Sequence, residues 1–180
     1  MGANIQAVTE LVRLMGFDDQ SNRYDVDWSQ MGRDLGVKFP ADYRELLAIV
    51  PALDIQSWVR VWHPFEEPRG SWRQRVTGWP TTLEMFRELR PELPFSADRE
   101  PGGLLPWGDV NDDYVLCWHM NGPVDQWPVV VVDYSLTEWE LFQGSMSEFL
   151  LDLLSGNISS QILRFLNEEM AACPVEVSQE

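Results

Sequence analysis

The sequence predicts an α+β domain with flanking helices and a mainly antiparallel central sheet. Three observations predict it. Helix-spaced apolar residues open the chain, strand-like runs fill its middle around one inserted helix, and helix-spaced residues close it. Elements in that order place helices on one face of an antiparallel sheet. The 180 residues suit one compact domain. Its parts are an N-terminal helix and loop (1–27), a core (28–156), and a C-terminal helix and tail (157–180).

Ile5, Val8, Leu11, Val12 and Met15 recur at helical spacing over 3–15, and Gly16 offers a C-cap. Residues 17–27 hold four Asp and read as a loop. A short helix runs from Trp28 to Leu35 and closes at Gly36. Pro40 opens the next helix, because proline fits the first turn, where its missing N–H costs nothing. Asp42 favours the positive end of the helix dipole, Tyr43, Leu46, Leu47 and Val50 form the apolar stripe, and Pro51 ends it. Alternation over 55–63 predicts a strand. Residues 64–78, rich in Pro, Gly and Arg, read as a long loop. Thr81 with Glu84 reads as a capping box for a helix over 82–90.

Residues 96–103 read as a loop, with Pro101-Gly102-Gly103 as a turn. Three strands follow, at Tyr114–Met120, Val129–Tyr134 and Glu138–Phe142. Asn121-Gly122 is a turn pair in which glycine supplies positive φ. Val129 to Val132 lack alternation, as in a central strand buried on both faces. Ser145 and Glu148 form a capping box for a helix ending at Gly156. A last helix covers 159–171, and 174–180 read as a frayed tail.

Net charge is −16, and the asymmetry is uneven. Residues 100–180 hold 14 acids against one base, Arg164. Phosphate binding needs clustered Lys and Arg, so this balance argues against direct nucleic-acid binding. An acidic half steers basic partners and raises their association rate. The one basic stretch in the pattern is Arg60, Arg69, Arg73, Arg75, Arg87 and Arg90, which either pairs internally or binds an anion. No apolar run approaches a membrane span, and no basic segment precedes an apolar stretch near Met1. The expectation is a cytoplasmic chain with Cys117 and Cys173 as free thiols.

Motifs for chemistry are sparse. Cys117 and His119 share one strand face, but no second Cys–His pair has ligand spacing. Asp109, Asn111, Asp112 and Asp113 begin a calcium-loop pattern that fails at Tyr114, where glycine should turn the chain. A strand-connecting turn is the plainer reading, with a partner-facing acidic patch as the alternative. No catalytic residue, cofactor or metal is expected.

A spaced set of signatures remains. It comprises Trp28, Leu35-Gly36, Phe39 to Leu47, Leu105-Pro106-Trp107-Gly108-Asp109, Trp127 to Asp133, and Gly144 to Gly156. In this order they resemble the SMI1/KNR4 family, also called SUKH. The resemblance covers Trp28 to Gly156. It implies a SUKH-like single α+β domain without catalytic machinery that binds proteins through a cleft and an acidic or aromatic surface. Bacterial members are mostly immunity proteins that neutralise toxins, and eukaryotic members act as regulatory scaffolds.

Three functions compete. The first is an immunity protein that binds a cognate toxin, a nuclease among the candidates. It would present Asp109, Asp112, Asp113, Asp125 and Asp133 as a phosphate mimic, with Trp107, Trp118 and Trp127 as anchors. The second is a regulatory or scaffold module with another protein partner. The third is a small hydrolase or metal-dependent enzyme using Cys117, His119 or the 109–113 carboxylates.

Overall fold

The structure is a computed structural model that describes residues 3–17, 23–50, 53–64, 71–97, 99, 101–172 and 177–178. In chain order it has α1 (Ala3–Leu14), α2 (Trp28–Leu35), α3 (Ala41–Ile49), β1 (Leu53–Ile55), β2 (Val59–Val61) and α4 (Ser71–Leu89). Then come β3 (Gly103–Val110), β4 (Tyr114–Met120), β5 (Val129–Asp133), β6 (Trp139–Phe142), α5 (Met146–Leu154), α6 (Arg164–Ala172) and β7 (Val177–Ser178). The sheet order is β6-β5-β4-β3-β2-β1-β7, and every pair is antiparallel. The fold is α+β, as the element order predicts.

Four local expectations are corrected. The strand expected over 55–63 is a tight hairpin of β1 and β2. Gln56 and Ser57 take positive φ, and the Trp58 N–H donates to the Ile55 carbonyl, which reverses the chain in a type I′ manner. The loop expected over 64–78 gives way to α4 from Ser71, while 65–70 lie outside the described residues. Buried Trp72, Val76, Trp79 and Leu83 recur every three or four positions and hold this helix on the sheet, so Pro80 is tolerated inside it. Thr81 is therefore mid-helix rather than a cap. Part of the expected tail, Val177–Ser178, pairs with β1. The remaining tail residues lie outside the described ones.

The fourth correction is β3, which the pattern hides behind Pro106 and Gly108. A bulge between these residues absorbs the ladder position that proline cannot fill. Gly108 is required by its neighbour, since a Cβ there would lie 2.5 Å from the Arg60 carbonyl oxygen on β2. The expected caps of the other helices form. Gly36 takes φ 64° after α2, and Ser145 and Glu148 close a reciprocal capping box on α5. Pro40 stands one place earlier than expected, at the N-cap of α3.

Helices flank both faces of the sheet, not one. Register puts Leu116, Val131 and Glu140 on one face, and Phe149 of α5 meets Phe142 and Trp107 there. Arg60, Asp109, Val115, Val132 and Trp139 lie on the other. That side is closed by α4, which packs along β3, and by Phe95, whose ring meets His119 and Trp139. With both faces covered, β3 has no exposed residue. Tyr43 of α3 is the aromatic hub. Its ring meets Trp28, Phe39 and Trp118, and its hydroxyl donates to the Trp62 carbonyl at 2.5 Å.

Candidate functional site

Four of the eight expected interface residues belong to the interior. Trp107 and Trp118 pack against each other with centroids 5.9 Å apart, and both are shut off from solvent. Their indole N–H groups are buried without a hydrogen-bond partner, so packing alone holds them. Trp127 is buried too and donates to the Gly122 carbonyl at 3.1 Å, fastening the β4–β5 connection. None of the three can anchor a partner. Asp109 is also buried. It accepts from the Trp62 indole at 2.5 Å and lies 3.9 Å from Arg60. Burial raises its pKa above the ordinary carboxylate value, against the opposing effects of the Trp62 hydrogen bond and the Arg60 charge.

Asp125 is exposed but occupied. It accepts from the Ala41 N–H at 2.8 Å and so closes the start of α3, which proline leaves without a side-chain cap. Asp42, at the same helix start, is buried and turned to the Ser147 backbone N–H (3.0 Å) and hydroxyl (3.1 Å) of α5. It links two helices rather than merely favouring a dipole. Burial raises its pKa, with the Ser147 hydrogen bonds opposing.

The structure does gather Asp112, Asp113 and Asp133 at one end of the sheet. Asn111 and Asp112 take φ 51° and 56° in the β3–β4 turn, and Asp113 N–H donates to Val110 at 2.9 Å. This is the strand-connecting turn that the carboxylate cluster suggested. Tyr114 opposite Asp133 brings the β5–β6 turn alongside. Asp133 accepts from Thr137 N–H (2.6 Å), Glu138 N–H (2.9 Å) and the Thr137 hydroxyl (2.7 Å). Burial alone would raise its pKa, but these bonds outweigh it and hold the carboxyl below its ordinary value. Glu138, exposed and bonded by the Tyr114 hydroxyl at 3.0 Å, completes an acidic pole. Tyr134 is the aromatic presented there, 40% exposed and within 3.5 Å of Arg75. Arg75 in turn lies 4.5 Å over the Trp62 ring. The pattern does not single out Glu138 or Tyr134, because register alone carries them beside the Asp112 turn.

A second feature was not expected. A groove of about 910 Å³ opens beside α2 and α3, lined by Trp28, Arg33, Val37, Lys38, Phe39, Arg44, Arg99 and Val124 among others. Among the described residues, four cations line it and no carboxylate does; Asp98 and Glu100, on either side of Arg99, lie outside the described residues. The Arg99 guanidinium donates to the Leu35 carbonyl. Among the described residues, no Asp or Glu lies within ion-pair distance of Arg33, Lys38, Arg44 or Arg99. The basic stretch expected in the sequence behaves differently: Arg60 approaches Asp109, and Arg73 lies 4.0 Å from Asp34. Arg69 lies outside the described residues. A signal for the groove existed, since Arg33, Lys38 and Arg44 bracket the signature around Phe39-Pro40.

The residues considered for catalysis are unpromising as placed. Cys117 is wholly buried in β4, and burial pushes its thiol well above the ordinary value, away from the reactive thiolate. Burial lowers the pKa of His119, whose ring packs on Phe95. Among the described residues no group of three His, Cys, Asp or Glu side chains is placed to hold a metal ion. Nor is any described helix long and apolar enough to cross a membrane. No family model, curated protein or solved structure matches the chain.

Proposed function

We propose that this protein is a non-enzymatic binding module, an immunity protein that neutralises a cognate toxin by direct contact at its acidic pole. The observation that carries the reading is the disposition of Asp112, Asp113, Asp133 and Glu138. They stand at the turns and strand end of one end of the sheet, and no Lys or Arg among the described residues is within ion-pair distance of them. Carboxylates held on turns, with no ion-pair partner among the described residues, attract a basic surface, such as a nuclease's substrate groove, and speed its approach. Tyr134 replaces the buried tryptophans as the aromatic contact.

The resemblance supports the same reading. Its signature residues Gly36, Asp42, Tyr43, Trp107, Gly108, Ser145 and Glu148 all serve the fold, as a helix stop, a helix link, an aromatic core, a close strand approach and a cap. Recognition then falls to residues outside them. The test is co-expression with the product of the adjacent gene, scored for survival and co-purification. Survival with a salt-sensitive complex is expected. Toxicity without rescue would sink the reading and favour a regulatory module. Rescue by a salt-insensitive complex would remove the acidic pole from it.

A further inference from the structure

The basic groove lies at the other end of β4 from the acidic pole. Val124 lines it, in the connection after Met120, whereas Asp112 and Asp113 precede Tyr114. Its charge opposes that of the chain. Acids outnumber bases 29 to 13, yet among the described residues the lining holds Arg33, Lys38, Arg44 and Arg99 and no acid. Four like charges around one opening repel one another. Asp125 and Asp42, at the start of α3, are turned to the Ala41 N–H and to Ser147, and neither forms an ion pair with a groove cation. A groove that gathers cations with no ion-pair partner among the described residues is suited to an anion.

The form of the anion follows from the backbone. Phosphate sites use free N–H groups at a helix start. Here Asp125 takes the Ala41 N–H and Asp42 takes the Tyr43 N–H, so α3 offers no such cradle. The cations come instead from four places: the last turn of α2, the α2–α3 link, the second turn of α3 and the segment before β3. Separate point charges match separate carboxylates better than one phosphate. Half-buried Trp28, with Val37 and Val124, adds apolar surface between them. A polynucleotide, reaching beyond the groove, would meet the repulsion of a chain whose net charge is −16. We propose that this groove binds an acidic peptide segment of a partner protein, one that interleaves Glu or Asp with apolar residues. The proposal stands whether or not that partner is a toxin.

Fluorescence anisotropy of the full chain with a labelled Glu-Phe-Glu-Leu-Glu peptide tests it. Binding is expected to weaken about tenfold or more when Gln replaces Glu in the peptide. The same loss is expected for the Lys38→Ala/Arg44→Ala double variant. Both side chains are exposed, so the variant should keep the parent's unfolding midpoint; Arg33→Gln serves as a second variant should it not. Equal affinity for the Glu and Gln peptides, no binding of the Glu peptide, or an unchanged affinity in a folded variant would overturn the proposal. So would displacement of the peptide by lower concentrations of inorganic phosphate or ATP, which would make a small phosphate the occupant. Rescue from the toxin by the double variant would leave the immunity reading intact and separate the two ideas.

Discussion

Asp109 and Asp112 lie three residues apart in the sequence and in different media. Asp109 is in the interior of β3, against the Trp62 indole and within reach of Arg60. Asp112 is in the turn, exposed and with positive φ. The strand around Asp109 is covered on both faces, and the Asp109 carboxylate is committed to partners inside the molecule. The turn around Asp112 is shaped by backbone hydrogen bonds, which leaves its carboxylate for solvent or a partner. The boundary between interior and solvent therefore runs between Val110 and Asn111, across what reads in the sequence as a single acidic cluster.

The largest effect should come from the interior side of that boundary. Trp107→Ala removes a wholly buried ring packed on Trp118 and Phe149, and should cost about 3–5 kcal/mol in urea unfolding. A variant with full stability and lost partner binding would put Trp107 back among the contacts. Gly108→Ala should cost about 1–3 kcal/mol, because its Cβ would be 2.5 Å from the Arg60 oxygen and strands β2 and β3 would have to part. An unperturbed midpoint would show that the close approach is absent in solution.

The two kinds of carboxylate should also differ in pH response. Asp109 has a raised pKa in the fold, so it favours the folded state below its unfolded value of 3.8. That contribution is lost as pH rises through the folded pKa, and Asp109→Asn should remove this decline from the stability profile. Asp133 has a lowered pKa, so its contribution is present above 3.8 and lost as pH falls through the folded pKa. Asp133→Asn should flatten the acid limb instead. Urea unfolding across a pH series checks both, and matching slopes in the two variants would erase the distinction. The smallest stability effect belongs to Asp112→Asn/Asp113→Asn, within about 0.5 kcal/mol of the parent, since both are exposed. Stopped-flow mixing with a basic partner at low salt should nevertheless show association slowed about tenfold. An unchanged rate would deny the acidic pole its part in encounter.

Much of the fold was legible because helix periodicity, Gly36, Gly156 and the Ser145–Glu148 box are local signals, and the elements they mark are local too. What escaped depends on neighbours in space. β3 is a strand because β2 and β4 flank Pro106 and a bulge absorbs it. The N-terminal half of α4 is helical because Trp72, Val76 and Trp79 are buried in the core, with Trp72 on Phe39 and Tyr43, against a composition that reads as loop. The site divides in the same way. The Asp112–Asp113 turn followed from residue chemistry, whereas the basic groove arises only when α2, α3 and the segment before β3 converge. Tryptophans beside acidic residues resembled anchors because composition does not report which face of a sheet is covered.

The meander bears on how the chain assembles in time. Each of the strands β1 to β6 pairs with its neighbour in the sequence, so hairpins can close in turn as the polypeptide emerges from the ribosome. The N-terminal helix is served only in part by early segments: it packs on α3, which follows soon after, and on α5, which comes late. Asn4 of α1 meets Ser147 of α5 across 143 positions, so the side of α1 that packs on α5 stays uncovered until that segment arrives. For most of synthesis the first helix is thus only half covered. Chaperone demand should concentrate there, and nascent chains stalled before Met146 should aggregate through it.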